Sequence, residues 1–214
     1  LEAHRSVEEV CRAVGYRALG PILLGFAQFV ARTAMLRGYT RLFFIARDGF
    51  YLQRAYELLR ETWPELPPAV YTLSSRRVAR LVSLRKLDDA LAVARVAHRP
   101  MTLSRFLVTR FGLSEVDLDS VTATALSRAG LSSIDAVVEP ADGEALELLL
   151  ESLWPTIAKR AAEVRAQYAD YLDQLGLDET SAIVDIGYRG TAQRAVSAAT
   201  GTKPGGLYLM TWSA

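Results

Sequence analysis

Four short apolar runs constrain this chain more than any other feature: residues 41–46, 69–73, 182–185 and 207–211. Each is too short for a helix, and each is followed by turn residues and helical periodicity, or by the chain end. Runs of this kind, separated by helices, predict parallel strands buried on both faces of an α/β sheet. After the first run, Phe50, Leu52, Ala55, Tyr56, Leu58 and Leu59 recur at helical spacing, and the pattern stops before Pro64. After the third, Ala192, Ala195, Val196 and Ala199 continue a helix that Gly201 can end in a left-handed conformation. Strand, turn and helix therefore follow one another twice.

Residues 75–180 make up about half the chain and carry almost no strand signal. Leu103, Phe106, Leu107 and Phe111 repeat at helical spacing, with Thr102 placed to cap that helix and Gly112 to end it. A longer helix is predicted over Leu153, Ile157, Ala161, Val164, Tyr168, Tyr171, Leu172 and Leu175. Residues 120–143 are rich in Ser, Thr, Ala, Asp and Gly, with the clearest break at 140–143. The expected architecture is one α/β domain over 1–214, with a mostly parallel sheet. Its core covers about 17–75 and 180–214, and a large helical insertion covers about 76–179.

Composition narrows the function. With 25 Lys+Arg against 24 Asp+Glu the net charge is +1, which gives no general electrostatic reason to bind nucleic acid. A lone Cys11 excludes an intrachain disulfide, and His4 and His98 cannot form a His/Cys zinc cluster with it, so no protein-held metal site is expected. The longest apolar stretch, 18–35, is interrupted by Pro21, Gln28 and Arg32 and falls short of the ~20 clean residues of a spanning helix. It reads as a buried helix, with no direct membrane span. The single cysteine fits the reducing cytoplasm, the expected location, and no charged leader with a cleavage site is read. The first residue is Leu1, and the last strand stops almost at the chain end; both suggest a piece of a longer multidomain protein.

Open parallel sheets bind ligands at the carboxyl ends of their strands, and both chemically informative motifs fall there. The first strand delivers Arg47, Asp48 and Gly49 into a turn before a helix. Arg47 can offer a fork of donors to phosphate oxygens, and Gly49 lets backbone approach an anion. Alternatively, Arg47 and Asp48 pair with each other or with solvent, and Gly49 serves the turn.

The third strand delivers Asp185, Gly187, Tyr188, Arg189, Gly190, Thr191 and Ala192. Backbone N–H groups of Gly190, Thr191 and Ala192, the Thr191 hydroxyl and the helix dipole would cradle a phosphate. Asp185 could accept hydrogen bonds from sugar hydroxyls. The alternative makes Thr191 a simple N-cap and Asp185 a cap of its own turn. The loop is not a Walker A motif, because no Gly-Lys-Ser/Thr is present, and Gly187 and Gly190 do not complete a dinucleotide fingerprint.

Together these motifs resemble the type I phosphoribosyltransferases. That resemblance implies a pyrophosphate loop at Arg47, Asp48 and Gly49, a 5-phosphate loop at Gly190 and Thr191, and a ribose contact at Asp185. The pattern departs from the family in having one acid where two are usual, beside Val184 and Ile186, and Arg189 where Thr is common.

A resemblance over most of the chain adds Gly15-Tyr16, Leu19-Gly20-Pro21, Ser75-Arg76-Arg77 and Gly190-Thr191-Ala192-Gln193. It points to the region that accompanies HAD-type phosphatase domains in bacterial surface-polysaccharide proteins that make ribofuranose. What it implies is a pentosyltransferase that moves a 5-phosphoribosyl group from phosphoribosyl pyrophosphate (PRPP) to a hydroxyl of a glycan or lipid-linked glycan. The implied partner is a HAD-type phosphatase domain in the same or a neighbouring chain, and partners could hold the protein at the inner face of the cytoplasmic membrane. The phosphatase motif Asp-x-Asp-x-Thr is absent from this chain.

Departure of pyrophosphate leaves positive charge on the ribose and negative charge on the leaving group. Mg²⁺, held mainly by the substrate, and cations are expected to neutralise the latter. Arg47 is the first choice for that role. Ser74, Ser75, Arg76 and above all Arg77 could add phosphate contacts, a solvated helix start being the other reading. Asp48 and Asp185 are candidate bases toward the acceptor. Trp154, Tyr168 and Tyr171 could stack on sugar rings if exposed, although their helical spacing fits a core. Two other readings are a nucleobase phosphoribosyltransferase and a non-catalytic PRPP-binding regulator, which the single acid favours.

Overall fold

The computed structural model describes residues 6–119 and 121–212, and it divides into two compact units. The first comprises Leu1–Ser74, Leu175–Gln193 and Thr202–Ala214, the second Ser75–Gln174 and Arg194–Gly201. The expected core and insertion match these units to within a few residues, except that the later part of the last helix falls in the second. His4 lies outside the described residues.

In the first unit, β1 (Arg41–Ile45), β2 (Ala69–Thr72), β5 (Ser181–Tyr188) and β6 (Gly205–Thr211) form one sheet in the order β2-β1-β5-β6, every pair parallel. The order reverses between β1 and β5: the chain moves one way from β1 to β2 and the other way from β5 to β6. Leu42 and Phe44 of β1, Ala182 and Val184 of β5 and Leu207 of β6 pack with α2 (Gly20–Arg37) and α3 (Gly49–Thr62). Phe43 and Ile183, which alternate with them, are equally buried, as a sheet covered on both faces requires.

Two helical expectations needed correction. The stretch 18–35, expected to be a buried helix, is part of one continuous helical rod, Val7–Arg37, built from α1 (Val7–Val14), a π-turn (Gly15–Leu19) and α2, and much of it is exposed. Pro21 does not break it, because the wider turn lets Gly20 N–H donate to Gly15 O before the ring is met. The rod is long and apolar enough to cross a membrane by length and composition, yet only 28% of its most apolar window is buried. Its inner face carries Phe26, Ala27, Val30, Ala31 and Ala34, while Ile22, Phe29 and Leu36 are exposed.

The second unit is helical: α4 (Arg76–Ser83), α5 (Leu87–Ala94), α6 (Leu103–Phe111), α7 (Glu115–Asp119) and α8 (Ala123–Arg128) gather on α9 (Gly143–Gln174). A two-residue antiparallel ladder, β3 (Met101–Thr102) with β4 (Val137–Val138), closes it. Thr102 caps α6 by accepting from Arg105 N–H, and Gly112 ends it at φ +65°, both as expected. The long helix starts ten residues earlier than Leu153. Arg165 on α9 donates to the carbonyls of Val82 and Leu84, and Arg160 to that of Gly112, fastening neighbouring helix ends.

Candidate functional site

The first loop takes its form from Gly49. A Cβ there would lie 2.8 Å from the Phe44 carbonyl carbon, so only glycine lets α3 start this close to β1. The tight return leaves Arg47 and Asp48 exposed at the strand's carboxyl end. Phe50 N–H donates to Arg47 O at 3.1 Å, and the Ala46–Arg47 peptide is cis. Asp48 occupies the N-cap position in helical conformation without capping the helix. Arg47 and Asp48 form no ion pair with each other.

Beside this turn stands a feature that helical periodicity had hidden. Phe50 is 43% exposed rather than core, with Tyr51 edge-on to it at 5.4 Å and Tyr71 of β2 at 5.9 Å. The Arg54 guanidinium lies 5.6 Å from the centre of the Phe50 ring. Two consecutive aromatics directly after Arg47-Asp48-Gly49 were the available sequence signal, since a helix cannot bury both.

The second loop begins later than expected. β5 continues through Ile186, Gly187 and Tyr188, because Gly187 and Tyr188 pair with Met210 and Thr211 of β6. Gly187 has φ +108°, and a Cβ on it would meet the Met210 carbonyl oxygen at 2.2 Å. That gives it a packing reason independent of any ligand. The side chain of Tyr188 is outside the described residues. Arg189 and Thr191 are exposed, and Gly190 turns the chain at φ +62° into α10 (Thr191–Thr200). Thr191 is the first residue of the helix rather than its N-cap, and the N–H groups of this first turn have no intrahelical acceptor.

This helix start is pinned to the sheet. Gln193 donates through Nε2 to Pro204 O at 2.7 Å and accepts at Oε1 from the Tyr208 hydroxyl at 2.6 Å.

β1 and β5 are hydrogen-bonded neighbours, so both loops open at the point where strand order reverses. Parallel sheets leave their ligand crevice there. Electrostatics link the two loops directly. Burial raises the Asp185 carboxyl above the usual carboxylate range, and the Asp48 charge adds to the rise. N–H groups of Ile186 and Gly187 bond to Asp185 and oppose it. Asp185 stands half-buried within β5, opposite Tyr208 of β6, rather than at the strand end or in a turn.

The remaining candidates sit elsewhere. Ser75 caps α4 by accepting from Val78 N–H, and Arg76 and Arg77 project from its exposed first turn in the second unit. Tyr168 is 6% exposed, which withdraws it as an open sugar platform, while Trp154 packs half-buried against the helical core and Tyr171, also half-buried, stacks on Tyr168 at 6.2 Å. His98 packs its ring on Phe106 at 5.1 Å, and Cys11 is exposed. Among the described residues, no three His, Cys, Asp or Glu side chains converge to hold a metal ion. No family model matches this chain, and no curated protein matches it.

Proposed function

We propose that this protein is a PRPP-dependent phosphoribosyltransferase of the type I kind, moving 5-phosphoribose to a glycan hydroxyl in bacterial polysaccharide synthesis. One observation carries the reading: a cationic and a Thr/Gly-rich loop leave adjacent parallel strands at the sheet's switch point, with Asp48 in the first loop and Asp185 on the strand that leads to the second. Arg47 faces the pyrophosphate, while Gly190, Thr191 and Ala192 receive the 5-phosphate at the start of α10. Gly49 and Gly187 allow the close backbone approaches that set the loops. Arg189 and the backbone of Tyr188 flank the cradle.

The two carboxylates fit a hard divalent cation, which takes one or two carboxylates and completes its shell with phosphate oxygens and water. The cation would be held mainly by the substrate's phosphate oxygens, with the two carboxylates facing its shell through water and left free for their own roles. When bound, Mg²⁺ neutralises the charge that develops on the leaving pyrophosphate. The acceptor oxygen bonds to C1 as the C1–pyrophosphate bond breaks, and the hydroxyl proton passes to a carboxylate. Asp185 engages the ribose hydroxyls, and the more exposed Asp48 is the base on the acceptor side. Phe50, Tyr51 and Tyr71 supply the aromatic faces on which an acceptor sugar stacks.

The test is pyrophosphate release from PRPP with Mg²⁺ and a panel of glycans and free nucleobases. Release that depends on a glycan supports the reading. Release with a nucleobase instead would make the protein a nucleobase phosphoribosyltransferase, and donor binding without turnover would make it a regulator.

A further inference from the structure

The side chain of Gln193 ties the start of α10 to β6. Its Nε2 donates to Pro204 O at 2.7 Å and its Oε1 accepts from the Tyr208 hydroxyl at 2.6 Å, so both ends of the amide are engaged by protein groups. The space for this bridge comes from glycine. A Cβ at Gly206 would lie 2.6 Å from Gln193 Oε1 and 2.7 Å from the Tyr208 ring, and one at Gly187 would lie 3.2 Å from Tyr208. Gly187 has a positive φ as a further reason to be glycine, whereas Gly206 has none, and the atoms nearest its missing Cβ all belong to Gln193 and Tyr208.

Tyr208 also stands next to the acid of the crevice. It pairs in register with Asp185 across β5 and β6, and residues so paired carry their side chains on the same face of a parallel sheet. One tyrosine therefore neighbours the carboxyl proposed for the ribose and holds the helix start proposed for the 5-phosphate.

The division of α10 gives this hold its importance. Residues 191–193 belong to the first unit, whereas Arg194–Gly201 belongs to the second, where Arg85 donates to Ala198 O. Gln193 is thus the last residue of the helix on the sheet's side, and its bridge fixes the first turn to β6. Free N–H groups bind an anion well only when they point at one spot.

We infer, resting on the donor site proposed above, that Tyr208 and Gln193 are positioning residues of the phosphate cradle. Tyr208 fixes the Gln193 amide, and Gln193 fixes the direction in which the first-turn N–H groups face the 5-phosphate. Neither side chain touches the substrate.

The experiment is calorimetric titration of the full chain with two separate ligands: ribose 5-phosphate, which reports the cradle, and pyrophosphate with Mg²⁺, which reports the Arg47 loop. Tyr208→Phe and Gln193→Met each keep most of the side chain's bulk and remove the bridge. Either alone breaks it, so one variant that folds suffices. Each should raise the dissociation constant for ribose 5-phosphate about tenfold and leave that for pyrophosphate within about twofold of wild type. The double variant should lose no more than the single ones, because the second substitution finds the bridge already broken. Arg47→Ala should give the opposite pattern, weakening pyrophosphate and sparing ribose 5-phosphate. Equal weakening of both ligands by Tyr208→Phe, unchanged affinity for ribose 5-phosphate, or losses that multiply in the double variant would each overturn the positioning role while the donor site stands. A wild type that binds neither ligand would overturn the donor site, and the positioning role with it.

Discussion

Asp185 holds its proton more tightly than an open carboxylate, through burial first and the charge of Asp48 last, although Asp48 follows β1 and Asp185 lies on β5, far along the chain. Only the register of two parallel strands brings them together. The same register sets an exposed arginine on one loop and the start of a helix on the other at the crevice between them.

This relationship has a signed consequence for stability. The folded protein binds the Asp185 proton more tightly than the unfolded chain does, so its ionisation weakens the fold as pH rises from the ordinary carboxylate range through the raised value. Asp185→Asn removes that loss and keeps an oxygen for the Ile186 and Gly187 N–H groups. The variant should melt higher than wild type at pH 7, the gap closing toward acid pH, while donor-dependent activity disappears. Melting curves over pH 3–8 check it; an unchanged or lower Tm at pH 7 would count against a strained acid in the crevice.

Gly187→Ala tests the second loop's anchor. Its methyl would collide with the Met210 carbonyl oxygen in a backbone conformation that side chains disfavour. A loss of at least about 2 kcal/mol is expected, or roughly 4–8 °C in Tm at this length. Gly143→Ala, with nothing within 4 Å of the new methyl, serves as the control and should stay within about 0.5 kcal/mol of wild type.

Tyr56 is fully buried and donates its hydroxyl to Pro67 O at 2.9 Å, closing the link between α3 and β2. Tyr56→Phe leaves that carbonyl without its donor and should cost about 1–2 kcal/mol, read from urea unfolding at unchanged m-value. Burial also pushes the phenol well above its ordinary pKa, so ultraviolet titration should leave this tyrosine protonated until the protein unfolds.

What was legible in the sequence was local. Thr102, Gly112 and Gly201 mark helix ends through their own hydrogen bonds or positive φ, and short apolar runs mark strands because both faces are buried. The extra length of β5 was hidden, since Gly187 and Tyr188 become strand only by pairing with β6. The exposure of Phe50 was hidden as well, because periodicity places a residue on a helix without saying where the helix stops touching the sheet. In the rod, Pro21 looked like an interruption because a wider turn that accommodates it leaves no single-residue signal.

The most direct test of the donor site is thermal unfolding with and without PRPP and Mg²⁺, using wild type, Arg47→Ala and Thr191→Ala. At a hundredfold excess over the dissociation constant, the ligand should stabilise wild type by roughly 2.7 kcal/mol, or about 5–10 °C. The expected result is a magnesium-dependent shift that both substitutions abolish while leaving the unliganded Tm within about 2 °C of wild type. No shift of the wild type at millimolar PRPP, or a shift that survives in both variants, would contradict a donor site between these two loops.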